Sequence, residues 1–233
     1  MQQIIQQLHY LNVHAHQIIN IYYTLINQKK RRVKMEKNPE MTQNQQNNLP
    51  VKFLVVGRTA SGKSSIVREV CKKLELKQVK SLTTRPPRDV ELNNPDSDHY
   101  FVTDEEFESE RDKGFVAYTE INDYKYATTV DEFDRSDIYV IDPKGIEYLK
   151  QTCGDKYKFV EIYIRVPFIT AINRFIERGG IESEFKARFN QENLQFKEYE
   201  KKQGFDYHVL NDQALEDAVE KVCEIIKKNN LIM

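Results

Sequence analysis

The chain has 233 residues, a formal net charge of −1, and 39% hydrophobic against 30% charged residues. That length supports one substantial core with a smaller inserted unit, and the near-neutral balance gives no overall field for nucleic acid or an acidic membrane. No run approaches the roughly 18 apolar residues of a membrane helix, and Cys71, Cys153 and Cys223 are odd in number and too far apart for a local metal site. Reduced thiols and a cytoplasmic setting are therefore expected.

Residues 1–49 read as a polar, basic extension, disordered or partly helical. IINIYYTLI (18–26) can form a short helix, but Lys29, Lys30, Arg31 and Arg32 follow, and then MTQNQQNNLP, a composition that buries too little to fold. Residues 1–50 carry +4, which leaves −5 on the remaining 183. The first twenty residues have no basic and apolar pairing of a secretory signal, and no Arg precedes Arg31, so a transit peptide fits poorly. Met35 and Met41 remain open as alternative starts.

From residue 50 the pattern changes. VKFLVV (51–56) is a continuous apolar run, the mark of a buried parallel strand. SSIVREVCKKL (64–74) places Ile66, Val67, Val70, Cys71 and Leu74 on one helical face. LKQVKSL (76–82) is expected to be a second strand. Residues 89–130 lose this rhythm, holding a short helix at DEEFESERDKG with Asp104 as its cap and Gly114 at its end. Strand and helix then alternate: DIYVID (137–142), GIEYLKQTCG, KFVEIYI (158–164), the Pro167-led FITAINRFIERGG, a charged helix near 181–202, DYHVL (206–210) and ALEDAVEKVCEIIKK. Such alternation predicts a mostly parallel sheet covered on both faces.

Gly57-x₄-Gly62-Lys63-Ser64 is a complete Walker A sequence between an expected strand and helix. Glycine allows the tight loop whose N–H groups face phosphate; Lys63 reaches the β/γ-phosphates of ATP and Ser64 ligates Mg²⁺. Ala60, Ser61 and Ser65 complete the ATP-binding set. The chain lacks the Asn-Lys-x-Asp of a GTPase, and IYVID ends in the single Asp142, which either orders Mg²⁺-bound water or caps the following helix. SLTTRPPR (81–88) sets Arg85 and Arg88 three apart beside Ser81, stiffened by two prolines; such guanidinium forks suit a second phosphate or form a solvated basic turn.

These segments, together with DHYFVTDEEF, YKYATTV, VIDPKG, NRFIERG, KARF and FDYHVLND in that order, resemble the guanylate kinase family from about Val51 to Ile226. The resemblance implies a P-loop three-layer α/β/α fold over residues 50–229, with a mostly parallel central sheet. It also implies an inserted monophosphate-binding subdomain near 84–130 and a helical lid near 177–195. The implied activity is reversible, Mg²⁺-dependent transfer of the ATP γ-phosphoryl group to GMP or dGMP; the implied partners are these nucleotides, with no nucleic acid or membrane, and nothing names a protein partner. Ser81, Arg85, Arg88 and Tyr126 fall on positions that grip the acceptor phosphate, and Thr128 on one at the guanine. Arg174, Arg178 and Arg188 fall on arginines that embrace the transferring phosphates, and Asn211, followed by Asp212, on a segment near adenine. The chain departs from the pattern where His99 replaces a phosphate-binding tyrosine, with Tyr100 as the neighbouring alternative. Ala117 stands where a glutamate reads guanine and Val140 where a strand-end carboxylate is usual, with Glu120 as a displaced substitute. These departures keep open a different base preference, or a non-catalytic binding module.

Overall fold

The computed structural model describes residues 49–88, 91–92, 97–111, 114–121 and 123–230; the expected extension, apart from Leu49, lies outside them. Four parallel strands form the main sheet in the order β6-β1-β7-β8, with β1 at Val51–Val56, β6 at Ile138–Val140, β7 at Lys158–Arg165 and β8 at Tyr207–Leu210. The apolar runs fall here because both faces are covered. Phe53 and Val55 of β1 pack against α1 (Lys63–Leu74) and α7 (Leu215–Asn230) through Ile66, Val70, Val219 and Val222. Leu54 and Val56 point to the other face, where α3 (Val130–Asp134), α4 (Pro143–Cys153) and α6 (Glu182–Lys202) supply Phe133, Ile146, Leu149, Phe196 and Tyr199. Full burial of a side chain such as Leu54 contributes about 1.5–3 kcal/mol. Between α6 and α5 (Phe168–Glu177) lies a third cluster of Ala171, Ile172 and Phe185, which reaches Ala60 in the phosphate loop.

A second sheet, β3-β2-β5-β4, is mixed. It comprises β2 (Ser81–Thr83), β3 (His99–Phe101), β4 (Phe115–Ile121) and β5 (Tyr124–Thr129). The expected strand at 76–82 is corrected by this arrangement. Gln78 makes a single parallel bridge to Ile138 and the Val79 N–H donates to the Ile138 carbonyl at 2.9 Å, but the Lys80 N–H donates to the Glu132 carboxylate at 3.0 Å. The chain therefore leaves the main sheet at Lys80 and forms β2 in the second sheet.

Another correction concerns α2 (Asp104–Arg111). Its cap is Thr103, not Asp104: the Glu106 N–H donates to Thr103 Oγ1 at 3.2 Å and the Thr103 N–H to the Glu106 carboxylate at 2.8 Å, a reciprocal capping box. Gly114, at φ +93°, ends the turn with its N–H on the Arg111 carbonyl. Among the described residues no helix is long and apolar enough to cross a membrane.

Candidate active site

The main-sheet strand β1 feeds directly into the loop Gly57–Gly62, and α1 begins at Lys63. Tight packing explains both glycines. A Cβ on Gly57 would stand 2.5 Å from Ser61 Oγ and 2.7 Å from the Ile164 carbonyl oxygen, and one on Gly62, at φ +84°, would stand 2.5 Å from Asn211 Nδ2. Ala60 also takes a left-handed conformation, φ +57°. Asn211 fastens the loop: its Nδ2 donates to the Ser61 carbonyl at 2.8 Å and its N–H to the Arg165 carbonyl at 2.8 Å. Arg174, on α5, donates to the Asn211 carbonyl at 3.1 Å. Ser61 Oγ and Asn211 Oδ1 are buried with no partner, hydrogen-bonding capacity that an incoming phosphate or base can use. Ser65 is exposed at the outer side of α1. The Ser64 hydroxyl is a hard oxygen donor suited to Mg²⁺, and among the described residues no cluster of three or more His, Cys, Asp or Glu competes for a metal.

Lys63 Nζ donates to the carbonyls of Gly57 and Arg58 at 2.5 and 3.1 Å. Burial pushes its pKa down to about 8; Arg188 and Arg178 add to that shift, while Glu192 and Asp98 oppose it. Arg178 is lowered by burial, then by Arg88 and Arg188, and Arg88 by burial, then by Arg85 and Arg188. Arg178, Arg188, Arg88 and Lys63 thus come from separate segments into electrostatic reach of one another, their like charges opposed. Glu91 and Glu192 offset part of this repulsion, and what is left favours an entering anion.

In the second sheet, β2 and β3 pair in parallel, bringing Ser81 opposite His99. Ser81 Oγ lies 2.7 Å from His99 Nδ1, and the His99 ring meets Tyr126 edge-on at 5.6 Å. Burial, ahead of the opposing Asp98, lowers the His99 pKa and favours the neutral ring. Tyr100 alternates to the opposite face, 42% exposed beside Lys80, so it does not join this group. Arg85 makes a two-pronged pair with Glu91, both contacts 2.9 Å, and the same carboxylate accepts from the Arg88 N–H at 2.8 Å. Burial opposes ionisation of Glu91, yet Arg85 and the Arg88 N–H hold its pKa below the usual carboxylate value.

At the inner end of this sheet, Ala117 pairs with Thr128, and both are almost wholly buried. Thr128 Oγ1 lies 2.6 Å from Tyr139 Oη. Glu120 does not replace the carboxylate absent at Ala117: strand alternation puts it on the other face, where the Tyr118 hydroxyl donates to it. Thr119 shares the Ala117 face and interacts with Asp142. Asp142 takes the capping role left open by the sequence, accepting from the Gly145 N–H at 2.7 Å at the start of α4. Val140 turns toward the core between β1 and α1.

Four participants escaped the sequence reading. Glu91 follows Arg88 by three and Glu192 follows Arg188 by four, spacings that could have suggested the pairs. Glu192 joins Arg188 at 2.9 Å and accepts the Thr59 N–H at 2.6 Å, tying α6 to the phosphate loop. Arg58 and Tyr139 had no local signal. Arg58 donates to Tyr163 Oη at 2.5 Å and Asn193 Oδ1 at 3.0 Å, with its guanidinium against the rings of Phe189 and Phe196.

The chain is similar in sequence and fold to known proteins. A family model described as guanylate kinase matches residues 50–229. The guanylate kinase of Thermotoga maritima is 32% identical over 184 residues, covering 75% of this chain and 85% of the relative. That of Chlamydia felis is 30% identical over 190 residues, covering 77% and 86%. The crystal structure of guanylate kinase from Anaplasma phagocytophilum superposes with a TM-score of 0.56 at 20% identity, covering 77% of this chain and 86% of that one, a likeness of fold. With the family match spanning most of the chain and the phosphate-loop segments in its order, the protein belongs to the guanylate kinase family.

Proposed function

We propose that this protein reversibly transfers the γ-phosphoryl group of ATP to GMP or dGMP, with Mg²⁺. The observation that supports the reading is that Arg178 and Arg188 lie within electrostatic reach of the phosphate-loop Lys63, with Arg88 within reach of both arginines. A phosphate oxygen of the acceptor attacks the γ-phosphorus in line, the bond to the β,γ-bridging oxygen breaks with its electron pair, and ADP leaves. No side-chain nucleophile is needed; catalysis rests on placement and on neutralising charge. Arg85 and Arg88 orient the acceptor phosphate. Lys63 exchanges its two loop carbonyls for phosphate oxygens, and Arg174, Arg178 and Arg188 serve the lid side. Ser64 would hold Mg²⁺, which supplies further neutralisation of the β/γ-oxygens. The free cysteines, two of them buried, fit a reducing cytoplasmic setting.

A coupled phosphotransfer assay with ATP, Mg²⁺ and each nucleoside monophosphate tests the reading. GMP and dGMP are expected to be phosphorylated, and Lys63→Ala to lose about two orders of magnitude in rate while circular dichroism stays native. A folded wild type that transfers to no monophosphate overturns it. The uncharged Ala117 favours a second reading, a nucleoside monophosphate kinase with a different base preference; the same assay decides between them.

A further inference from the structure

Two consecutive residues of the phosphate loop grip two consecutive residues of α6. Arg58 donates to Asn193 Oδ1 at 3.0 Å, and the Thr59 N–H donates to one carboxylate oxygen of Glu192 at 2.6 Å. The other oxygen of Glu192 accepts from Arg188 Nε at 2.9 Å, one helical turn back. Glu192 therefore joins a fixed backbone donor of the loop to a long, flexible side chain of the helix. Its own side chain is 18% exposed, so water competes little for either contact.

The atom that Glu192 takes on Arg188 matters. Nε lies on the stem side of the guanidinium, and a carboxylate there leaves the outer edge open. Among the described residues neither terminal nitrogen of Arg188 has a hydrogen-bond partner, while Lys63, Arg88 and Arg178 lie within its electrostatic reach. Those three cations would push an unpaired Arg188 outward, and Glu192 offsets them. A planar guanidinium held at one edge has also given up most of its rotamer freedom before a ligand arrives, so its free edge meets a phosphate without that ordering cost. The contact with Thr59 ties that edge to the same loop that carries Lys63.

We propose that Glu192 is a positioning residue for phosphoryl transfer, holding the Arg188 guanidinium in register with the phosphate loop. This rests on the phosphotransfer reading above and deepens it. Arg188 is the group that meets the transferring phosphates, and Glu192 acts only through it.

The test measures kcat and the KM values for ATP and for the preferred nucleoside monophosphate. It compares wild type, Glu192→Gln, Glu192→Asp, Arg188→Ala and the Arg188→Ala/Glu192→Gln double variant, with circular dichroism on each. Glutamine has the same shape; its amide oxygen can keep the Thr59 N–H, which turns its NH₂ toward Arg188 Nε–H, donor against donor. Its kcat should fall about tenfold or more while both KM values stay within about twofold. Aspartate keeps the charge but is too short to hold both donors, and its kcat should stay at least about fivefold below wild type. In the Arg188→Ala background, Glu192→Gln should change kcat by less than about twofold, because the arginine it acts through is gone. Losses that multiply in the double variant overturn the proposal, as does full activity in Glu192→Asp. So does a Glu192→Gln enzyme with unchanged kcat and a lower KM for ATP, which would make the carboxylate a competitor of the nucleotide. A folded wild type that transfers to no monophosphate overturns the phosphotransfer reading itself, so the two failures are distinguishable.

Discussion

Lys63 shows how one residue couples charge to ligand. Its pKa in the folded chain, about 8, lies below the ordinary 10.5 because burial disfavours the ammonium and Arg188 and Arg178 repel it. For a base depressed in this way, the unfolded chain binds more protons between about pH 8 and 10.5, so the cost Lys63 imposes on folding fades as pH rises through that window. Nucleotide binding runs the other way. Phosphate oxygens favour the charged form, so above pH 8 ATP must bring a proton with it, and affinity should fall by up to about tenfold per pH unit. Calorimetry at pH 9 in two buffers of different ionisation enthalpy should report close to one proton taken up, against little at pH 7. Lys63→Arg, charged throughout, should abolish that uptake; an unchanged uptake would assign the proton elsewhere.

At the scale of elements, the decisive contact is α6 against the phosphate loop. Arg58 spans the gap, bonded to Tyr163 and Asn193 and lying on aromatic rings of α6. Next to it, the Thr59 N–H is held by Glu192, which also holds Arg188. The helix that carries Arg188 is thereby indexed to the phosphate loop. Arg58→Ala should lower stability by about 1–3 kcal/mol, read from the denaturant midpoint, and lower kcat more than it raises the KM for ATP. Lysine should not restore either property, because an ammonium cannot reach both oxygens while stacking on the rings. Full rescue by Arg58→Lys would reduce the residue to a point charge.

For the whole molecule, the main sheet carries the phosphate loop and the second sheet carries Ser81, His99, Tyr126 and Thr128, which the proposed function assigns to donor and acceptor respectively. Donor and acceptor should therefore stabilise the fold through separate residues. At a hundred times its dissociation constant, either nucleotide adds about 2.7 kcal/mol, which corresponds to a rise in Tm of roughly 5–10 °C for a domain of this size. Lys63→Ala should erase the rise with ATP and keep the rise with GMP. Equal loss of both would mean that Lys63 supports the fold instead of the donor phosphates.

The phosphate loop and the alternation of strands and helices along the chain that builds the main sheet were legible in the sequence, because each rests on local chemistry. A tight loop needs Gly57 and Gly62, a buried parallel strand needs an unbroken apolar run, and a helix shows its face at fixed spacing. The acceptor side was legible only in part. Ser81 and Arg85 suit a phosphate grip by their chemistry, but 76–82 read as one strand because its residues suit a strand; the tertiary structure split it where the Lys80 N–H found Glu132 in place of another strand. Whether Glu120 could stand in for Ala117 was decided by the phase of a pleat, and the role of Asp142 by which helix needed a cap. Tyr139 lies in sequence 11 residues from Thr128 and 58 from Ser81, distances at which no pattern operates. Hydrogen bonds of 2–3 Å depend on how two sheets pack, and that packing is a property of the folded chain alone.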